Sequence, residues 1–433
     1  MALVPTGNAE NICLDEFIPS NGKTLLERVQ PFSRYFRESQ ATGKALYSRE
    51  ILGPIENRSW VRDNLRKIPR KMVMLGSNNY LGLVTHPHVQ SAVIQAIRDY
   101  GTGMGGPPLL NGMSALHRQL ERRLTSLKKG VNSDEYDAML FGSGFQANLG
   151  WARGLLRKGD VLIYDEFSHA SLYDGISQVR AECGDDFRAI RFRHNDVSHL
   201  SALLNRYSKR KQGQIFVAIE GVYSMDGDLA PMREIASLCG QFEASLIVDD
   251  AHGTGVLGNT GAGTIEHFGL DHQVDISMGT FSKTFGVTGG FLVARKEIID
   301  YLRFFSRSYM FSAHLPPSTV AAVLAGLDVM VNEPELRSKL IQNAATLKSG
   351  LQELGFTVKQ EAAIIPILIP PQIDIRDVNL RLHEEDLFLN SIAYPAVSRA
   401  DQRLRASVMA THTSEDLEFA LKAFEKIKKE FKI

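Results

Sequence analysis

Cysteine is scarce in this chain: Cys13, Cys183 and Cys239 are the only three in 433 residues, and they stand far apart. An odd, isolated set argues against a disulfide framework or a cysteine-based metal site and points to reduced thiols in a cytoplasmic setting. Net charge is also missing, since 49 basic residues balance 49 acidic ones. The chain therefore carries no electrostatic footprint for nucleic acid or an anionic membrane. No apolar run approaches the ~18 residues of a membrane-spanning helix, so no integral membrane segment is expected. Met1 to Glu16 forms neither a basic region with an apolar core nor an arginine-rich transit peptide, which predicts an unprocessed, soluble protein. Internal repeats and low-complexity tracts are absent as well. What is present is apolar material: 44% hydrophobic residues suffice for a large core and a smaller second one.

The texture changes along the chain. Residues 1–75 are irregular and rich in arginine, including Arg28, Arg49, Arg62, Arg66 and Arg70, and read as an N-terminal arm. Residues 76–315 alternate short apolar strands with helical patterns. Strands are expected at Ala138 to Phe141, Val161 to Tyr164, Ala189 to Phe192, Ile215 to Ile219, Leu246 to Val248, Ile276 to Met278 and Phe291 to Ala294. Strands alternating with helices indicate an α/β fold with a mainly parallel, seven-stranded sheet. Residues 316–433 read as a small C-terminal α+β domain, closed by a helix from Glu415 to Phe431 with Leu417, Leu421, Phe424 and Ile427 on one face.

Chemistry gathers at the strand ends. Gly279-Thr280-Phe281-Ser282-Lys283-Thr284-Phe285-Gly286 presents one lysine in a loop of small and hydroxyl residues after an apolar run. Ser245-Leu-Ile-Val248 runs straight into Asp249-Asp250-Ala251-His252. An amine, a carboxylate and an imidazole at neighbouring strand ends meet the needs of pyridoxal 5'-phosphate (PLP): a lysine for its aldehyde, an acid for its pyridine nitrogen and a donor for its phenolic oxygen. A metal site on the same carboxylates lacks a third ligand at a recognisable spacing, so no metal is expected. Phe141-Gly-Ser143-Gly144-Phe145 joins a strand to a helix and offers backbone N–H groups to a phosphate. His169, in Ser168-His-Ala-Ser171, reads either as a ring that lies on the cofactor or as a helix cap. Gly101-Thr-Gly-Met-Gly105-Gly106 satisfies a dinucleotide fingerprint on paper but follows a helical stretch instead of a strand. Close approach to a ligand or a neighbouring subunit is the expected use of those glycines.

The succession Gly76-Ser-Asn78-Asn-Tyr80-Leu-Gly-Leu83, Gly142-Ser-Gly-Phe145, Ser168-His-Ala-Ser171, Glu220-Gly-Val-Tyr-Ser224-Met-Asp-Gly227, Asp249-Asp-Ala-His252 and Thr280-Phe-Ser-Lys283 resembles the α-oxoamine synthases, PLP enzymes of fold type I (aspartate aminotransferase-like). The resemblance runs from about Met74 to the C-terminus. It implies that Lys283 holds the cofactor as a Schiff base, Asp249 pairs with the pyridinium, His252 bonds the phenolic oxygen and His169 stacks on the ring. It further implies that Ser143, Gly144, Phe145, Ser224 and Thr280 complete the cofactor contacts. Ser312 and Ala313 match a segment that reaches the phosphate of the other subunit, which implies a homodimer with a shared active site. Asn78 and Arg405 match positions that bind the amino-acid carboxylate, a task suited to a guanidinium.

The implied reaction condenses a small amino acid (serine, alanine or glycine) with an acyl-CoA or acyl-carrier-protein thioester, with loss of carbon dioxide. Pro107-Pro108 stands where glycine-using members commonly show a small polar residue and arginine. The Leu110-Asn111-Gly112 ending and the run Arg307 to Ala313 are more similar to serine palmitoyltransferases, or to the stand-alone synthases that release polyketide and fatty acyl chains. A long-chain donor is therefore expected, with alanine plus a pimeloyl thioester as the alternative. An aminotransferase or aldolase of the same fold would act without a thioester. A non-catalytic partner subunit would have lost the lysine, and Lys283 is present.

Overall fold

A computed structural model of the chain describes residues 17, 24–63, 68–130, 133–209, 213–359, 361–394 and 396–433; Met1 to Glu16, Cys13 and Arg66 lie outside them. The described residues gather into two compact units, residues 78–341 and residues 1–77 with 342–433.

The second of these begins with helix α1 (Leu25–Ala41) and strands β1 (Glu50–Ile51), β2 (Arg58–Arg62) and β3 (Arg70–Met74). The larger unit follows: α2 (Pro87–Tyr100), α3 (Ala115–Lys129), β4 (Tyr136–Phe141), α4 (Gly144–Leu155), β5 (Val161–Asp165), α5 (Ala170–Cys183), β6 (Arg188–Phe192), α6 (Val197–Ser208), β7 (Ile215–Glu220), α7 (Met232–Gln241), β8 (Ser245–Asp249), α8 (Thr264–Phe268), β9 (Ile276–Thr280), β10 (Gly290–Arg295), α9 (Lys296–Phe305), α10 (Arg307–Met310) and α11 (Pro317–Asn332). Helix α12 (Glu335–Glu353) contains the boundary, and β11 (Ile364–Leu368), α13 (Ile375–Glu384), β12 (Leu387–Phe388), β13 (Asn390–Ile392), β14 (Arg403–Ser407) and α14 (Ser414–Phe431) return to the smaller unit.

The larger unit is an α/β fold built on a seven-stranded sheet in the order β4-β10-β9-β8-β7-β5-β6. Strand β10 is antiparallel to both β4 and β9, while the β9-β8-β7-β5-β6 run is parallel. Every residue of β5 and β9 is buried, as unbroken apolar runs covered on both faces require. Trp151, Leu156, Ile176 and Leu302 pack on one face; Leu200, Leu204, Ile235 and Cys239 pack on the other. Burial pushes the Cys239 thiol up to about 12, which keeps it protonated and inert. The expected strands are all found, each within two residues of its expected ends.

The expected arm behaves differently. Strands β1, β2 and β3 form a sheet in the order β1-β2-β3-β12, whose last strand comes from the C-terminal segment and pairs parallel with β3, Leu387 with Val73 and Phe388 with Met74. The alternation of buried and exposed residues in β2 (Arg58-Ser-Trp-Val-Arg62) is a strand pattern, but its arginines made the segment read as merely charged. Helix α11, expected in the small domain, falls in the larger unit. The glycine-rich segment follows α2 as expected, yet Gly106 closes on its own chain: a Cβ there would overlap the Asn111 amide.

One ion pair is wholly enclosed in the larger unit. Lys128 Nζ on α3 lies 2.8 Å from Asp250 Oδ2, with side chains 1% and 0% exposed. The ammonium also donates to Thr254 Oγ1 (2.8 Å) and the Ala262 carbonyl (2.6 Å), and Thr264 Oγ1 donates to Asp250 Oδ1 (2.7 Å). Removing one partner leaves a buried charge uncompensated. Lys128→Met is therefore expected to lower unfolding free energy by about 3–5 kcal/mol, measured by denaturant titration; a loss under ~1 kcal/mol would contradict this role.

Candidate active site

Strands β4, β5, β7, β8 and β9 run in one direction, so the segments after Phe141, Asp165, Glu220, Asp249 and Thr280 leave one edge of the sheet. Ligands of open α/β sheets bind outside these carboxyl ends. Each motif singled out in the larger unit's sequence at a strand end is placed on this edge.

Asp249 ends β8 and pairs in register with Glu220 of β7, which sets two carboxyl groups side by side on one face. Asn148 Nδ2 on α4 donates to Asp249 Oδ2 (2.8 Å) and the Ala251 N–H to Oδ1 (3.1 Å). Burial raises the Asp249 pKa, and these hydrogen bonds and the His169 imidazole only partly oppose it. Glu220 is raised well above the usual carboxylate range, first by burial and then by the Asp249 charge. Its carboxyl accepts from the backbone N–H groups of His169 and Ser224, so it ties two neighbouring loops to the end of β7. The adjacent Asp250 turns the other way, into the Lys128 pair, as consecutive residues leaving a strand do.

His252 is buried, with Nδ1 2.7 Å from the Tyr80 hydroxyl. Lys283 is half-buried in the loop after β9. That loop is braced by Thr280 Oγ1, which bonds the Gly289 carbonyl and Ser282 Oγ (both 2.9 Å), and by Thr284 Oγ1 donating to the Thr254 carbonyl (2.8 Å). Ser143 caps α4 by accepting from the Gln146 N–H (3.1 Å). Gly144 follows, and Gly290 of β10 presses so closely on it that a Cβ on Gly290 would lie 2.6 Å from the Gly144 nitrogen. Backbone thus faces backbone where a phosphate could be cradled.

His169 is exposed and is the N-cap of α5: Nδ1 accepts from the Ser171 N–H (3.2 Å) and lies 2.7 Å from Ser171 Oγ. Cap and ring-cover are thus compatible, because the hydrogen bonds hold the ring's orientation. Phe145 stands edge-on to it at 6.3 Å between centroids.

Ser312 and Ala313 follow α10, and Ser312 Oγ receives a long hydrogen bond from Gln146 Nε2 (3.4 Å). Beside them Pro107, Leu109, Leu110, Met310 and Phe311 line an apolar cavity of about 360 Å³. The two loops are tied together by the His314 backbone N–H donating to the Gly106 carbonyl (3.0 Å), and the His314 ring stacks on His117 of α3, 4.1 Å between centroids. Burial lowers both imidazoles, His314 to about 3, so the stack stays neutral. Arg405 lies on β14 in the smaller unit, buried, with Nη1 donating to Ser407 Oγ (3.0 Å).

Sequence reasoning gave no role to Asn148, although it stands one helical turn after Gly144 on α4. It also missed His194, which lies between Asp165 (Nδ1 to Oδ1, 3.0 Å) and Asp228 (Nε2 to Oδ2, 2.9 Å) and stacks on Phe167 at 4.3 Å. No local spacing joins residues 165, 194 and 228; the parallel pairing of β5 with both β6 and β7 does.

A family model for aminotransferase class I and II matches residues 70–424. The chain is 41% identical over 368 residues to an 8-amino-7-oxononanoate synthase of Geobacter sulfurreducens, covering 84% of this chain and 90% of that protein. It is 38% identical over 365 residues to a serine palmitoyltransferase of Bacteriovorax stolpii, covering 84% of each. The solved structure of Sphingomonas wittichii serine palmitoyltransferase superposes with a TM-score of 0.85 at 33% identity, covering 94% of this chain and 98% of that one. Among the described residues no helix is long and apolar enough to cross a membrane.

Burial alone would lower the His194 pKa, but the two carboxylates outweigh it and push it to about 10. A folded value above the ~6.5 of an unfolded histidine means that the stabilisation is complete below that pH and fades as pH rises through about 10. His194→Asn should cost about 1.5–3 kcal/mol at pH 6, with the deficit against wild type shrinking between pH 6.5 and 10. Urea midpoints across that range check it; a pH-independent deficit would rule out the imidazolium as its source.

Proposed function

Since this chain belongs to the α-oxoamine synthases, PLP-dependent fold type I enzymes within the class I and II aminotransferases, we propose that its amino acid is serine and its donor a long-chain acyl thioester. The family reaction is a decarboxylative condensation that yields an α-aminoketone, free thiol and carbon dioxide. The observation that carries the choice of substrates is the superposition on a serine palmitoyltransferase over 94% of this chain. The apolar cavity formed by Pro107, Leu109, Leu110, Met310 and Phe311 supports it, because a hydrocarbon tail gains where a short acidic acyl group would want a cation. Alanine with a pimeloyl thioester is the second reading, favoured by the 41% identity to an 8-amino-7-oxononanoate synthase.

The residues at the sheet edge suit PLP. The half-buried Asp249 carboxyl, held above its ordinary pKa, has a use for a cationic neighbour, and a pyridinium would bring it back to the charged form. When bound, PLP supplies an electron sink for negative charge at the amino-acid α-carbon. Asp249 keeps the proton on the pyridine nitrogen, and Asn148 holds that carboxylate in place. His252 donates to the phenolic oxygen, and His169, fixed by Ser171, covers one face of the ring. Ser143, Gly144, Phe145, Ser224 and Thr280 hold the phosphate and ring edge. Asn78 and Arg405 orient the amino acid through its carboxylate. The Lys283 amine would hold the cofactor's aldehyde and would move the proton at the amino-acid α-carbon, taking one from it and later returning one to the product. Ser312 and Ala313 serve the phosphate of a partner protomer, so the working unit is a homodimer.

Incubation of the PLP-loaded protein with serine and palmitoyl-CoA is expected to release thiol and carbon dioxide in equal amounts, with alanine plus pimeloyl-CoA at least tenfold slower. The reverse order would establish the second reading, and amino-group transfer without thioester would point to an aminotransferase. Lys283→Ala is expected to cut thiol release by about 10³-fold or more without a loss of folded protein by circular dichroism.

A further inference from the structure

The segment Gly76 to Leu83 supplies Asn78 to the reading above but leaves Tyr80 without a task. Tyr80 is 0% exposed, and its hydroxyl meets His252 Nδ1 at 2.7 Å and Asn78 Oδ1 at 3.3 Å. The Tyr80 N–H donates to the Asn78 carbonyl (2.8 Å) and the Gly82 N–H to that of Asn79 (2.9 Å), so a tight turn aims the phenol. His252 is buried as well, at 5% exposure, so bulk water cannot readily take the phenol's place.

We propose that Tyr80 is a positioning residue that holds His252 as the tautomer protonated on Nε2, the form that can donate to the phenolic oxygen of PLP. The proposal rests on the assignment of His252 to that oxygen. A phenol has one proton to give. If it goes to Nδ1, a neutral imidazole carries its own proton on Nε2 and presents a donor there. The opposite arrangement, Nδ1–H donating to the phenol and the phenol donating to Asn78, relies on the 3.3 Å contact and leaves Nε2 a bare acceptor. A bare nitrogen facing a negatively charged phenolic oxygen is repelled. The short contact and the acceptor that Nε2 would face therefore select the same proton placement. Asn78 Oδ1, the more distant acceptor at 3.3 Å, then competes only weakly for that proton, and the proposed carboxylate-binding residue and the ring-tuning histidine meet at one phenol.

Tyr80→Phe keeps the ring and removes the hydroxyl. Two readouts separate positioning from simple packing. In the cofactor-free protein with ¹⁵N-labelled histidine, where no phenolic oxygen of PLP biases Nε2, and with assignment by subtraction with His252→Gln, wild-type His252 is expected to show a protonated Nε2 and an acceptor Nδ1; in Tyr80→Phe the two nitrogens should become a tautomer mixture. In the cofactor-stripped protein, Tyr80→Phe should weaken PLP binding about tenfold, the worth of one hydrogen bond to a charged group. In the His252→Gln background the same change should weaken it less than about twofold, because the partner through which Tyr80 acts is gone. A His252 that stays protonated on Nε2 in Tyr80→Phe, or a tenfold loss that persists in the His252→Gln background, overturns the proposal. A His252→Gln variant with wild-type PLP affinity overturns the assignment of His252 and the proposal with it. If Tyr80→Phe retains too little PLP for titration, the tautomer spectrum of its cofactor-free form decides between the same two outcomes.

Discussion

The ion pair between Lys128 and Asp250 is the constraint around which the larger unit is arranged. Two charges with side chains 1% and 0% exposed persist only because every neighbouring polar group answers them: Thr254, Thr264 and the Ala262 carbonyl all bond one partner or the other. The Asp250 N–H also donates to the Met278 carbonyl of β9 (2.8 Å), so the charged cluster joins α3, the end of β8 and β9. Such a pair contributes little net stability by itself. Its effect is geometric. With Asp250 committed to one side, Asp249 must point to the other, and the turn that carries His252 is fixed between them.

That arrangement leaves an accumulation of negative charge at the carboxyl ends of β5, β7 and β8, where Asp165, Glu220 and Asp249 stand on adjacent strands. The protein resolves each case differently. Asp165 is neutralised by the His194 imidazolium, which bridges to Asp228. Glu220 is held toward its neutral form by burial and by its neighbour's charge. Asp249 keeps two hydrogen-bond donors, Asn148 and the Ala251 N–H, with a raised pKa that a cationic ligand would bring down. Only the last has capacity to spare for a cationic ligand.

Much of this was legible in the sequence because the signals are local. The fully buried runs of β5 and β9 announce themselves as strands, and Lys283, Asp249 and His252 sit at fixed short distances from strand ends. The arm was misread for an equally local reason: β2 begins and ends on arginine and β3 begins with Arg70-Lys71, and their sheet is completed by β12, more than 300 residues away in sequence. Gly106 was expected to allow close approach to a ligand or a neighbouring subunit, and within its own chain it packs on the Asn111 side chain five positions on.

The sequence by itself determined the fold class, the family and the identity of the chemical groups, because apolar periodicity and short motifs are properties of contiguous residues. Tertiary structure alone decided which groups answer one another. Lys128 with Asp250, His194 between Asp165 and Asp228, Asn148 on Asp249 and Tyr80 on His252 are each joined by packing of distant segments, and a hydrogen bond formed across such a gap leaves no spacing to read.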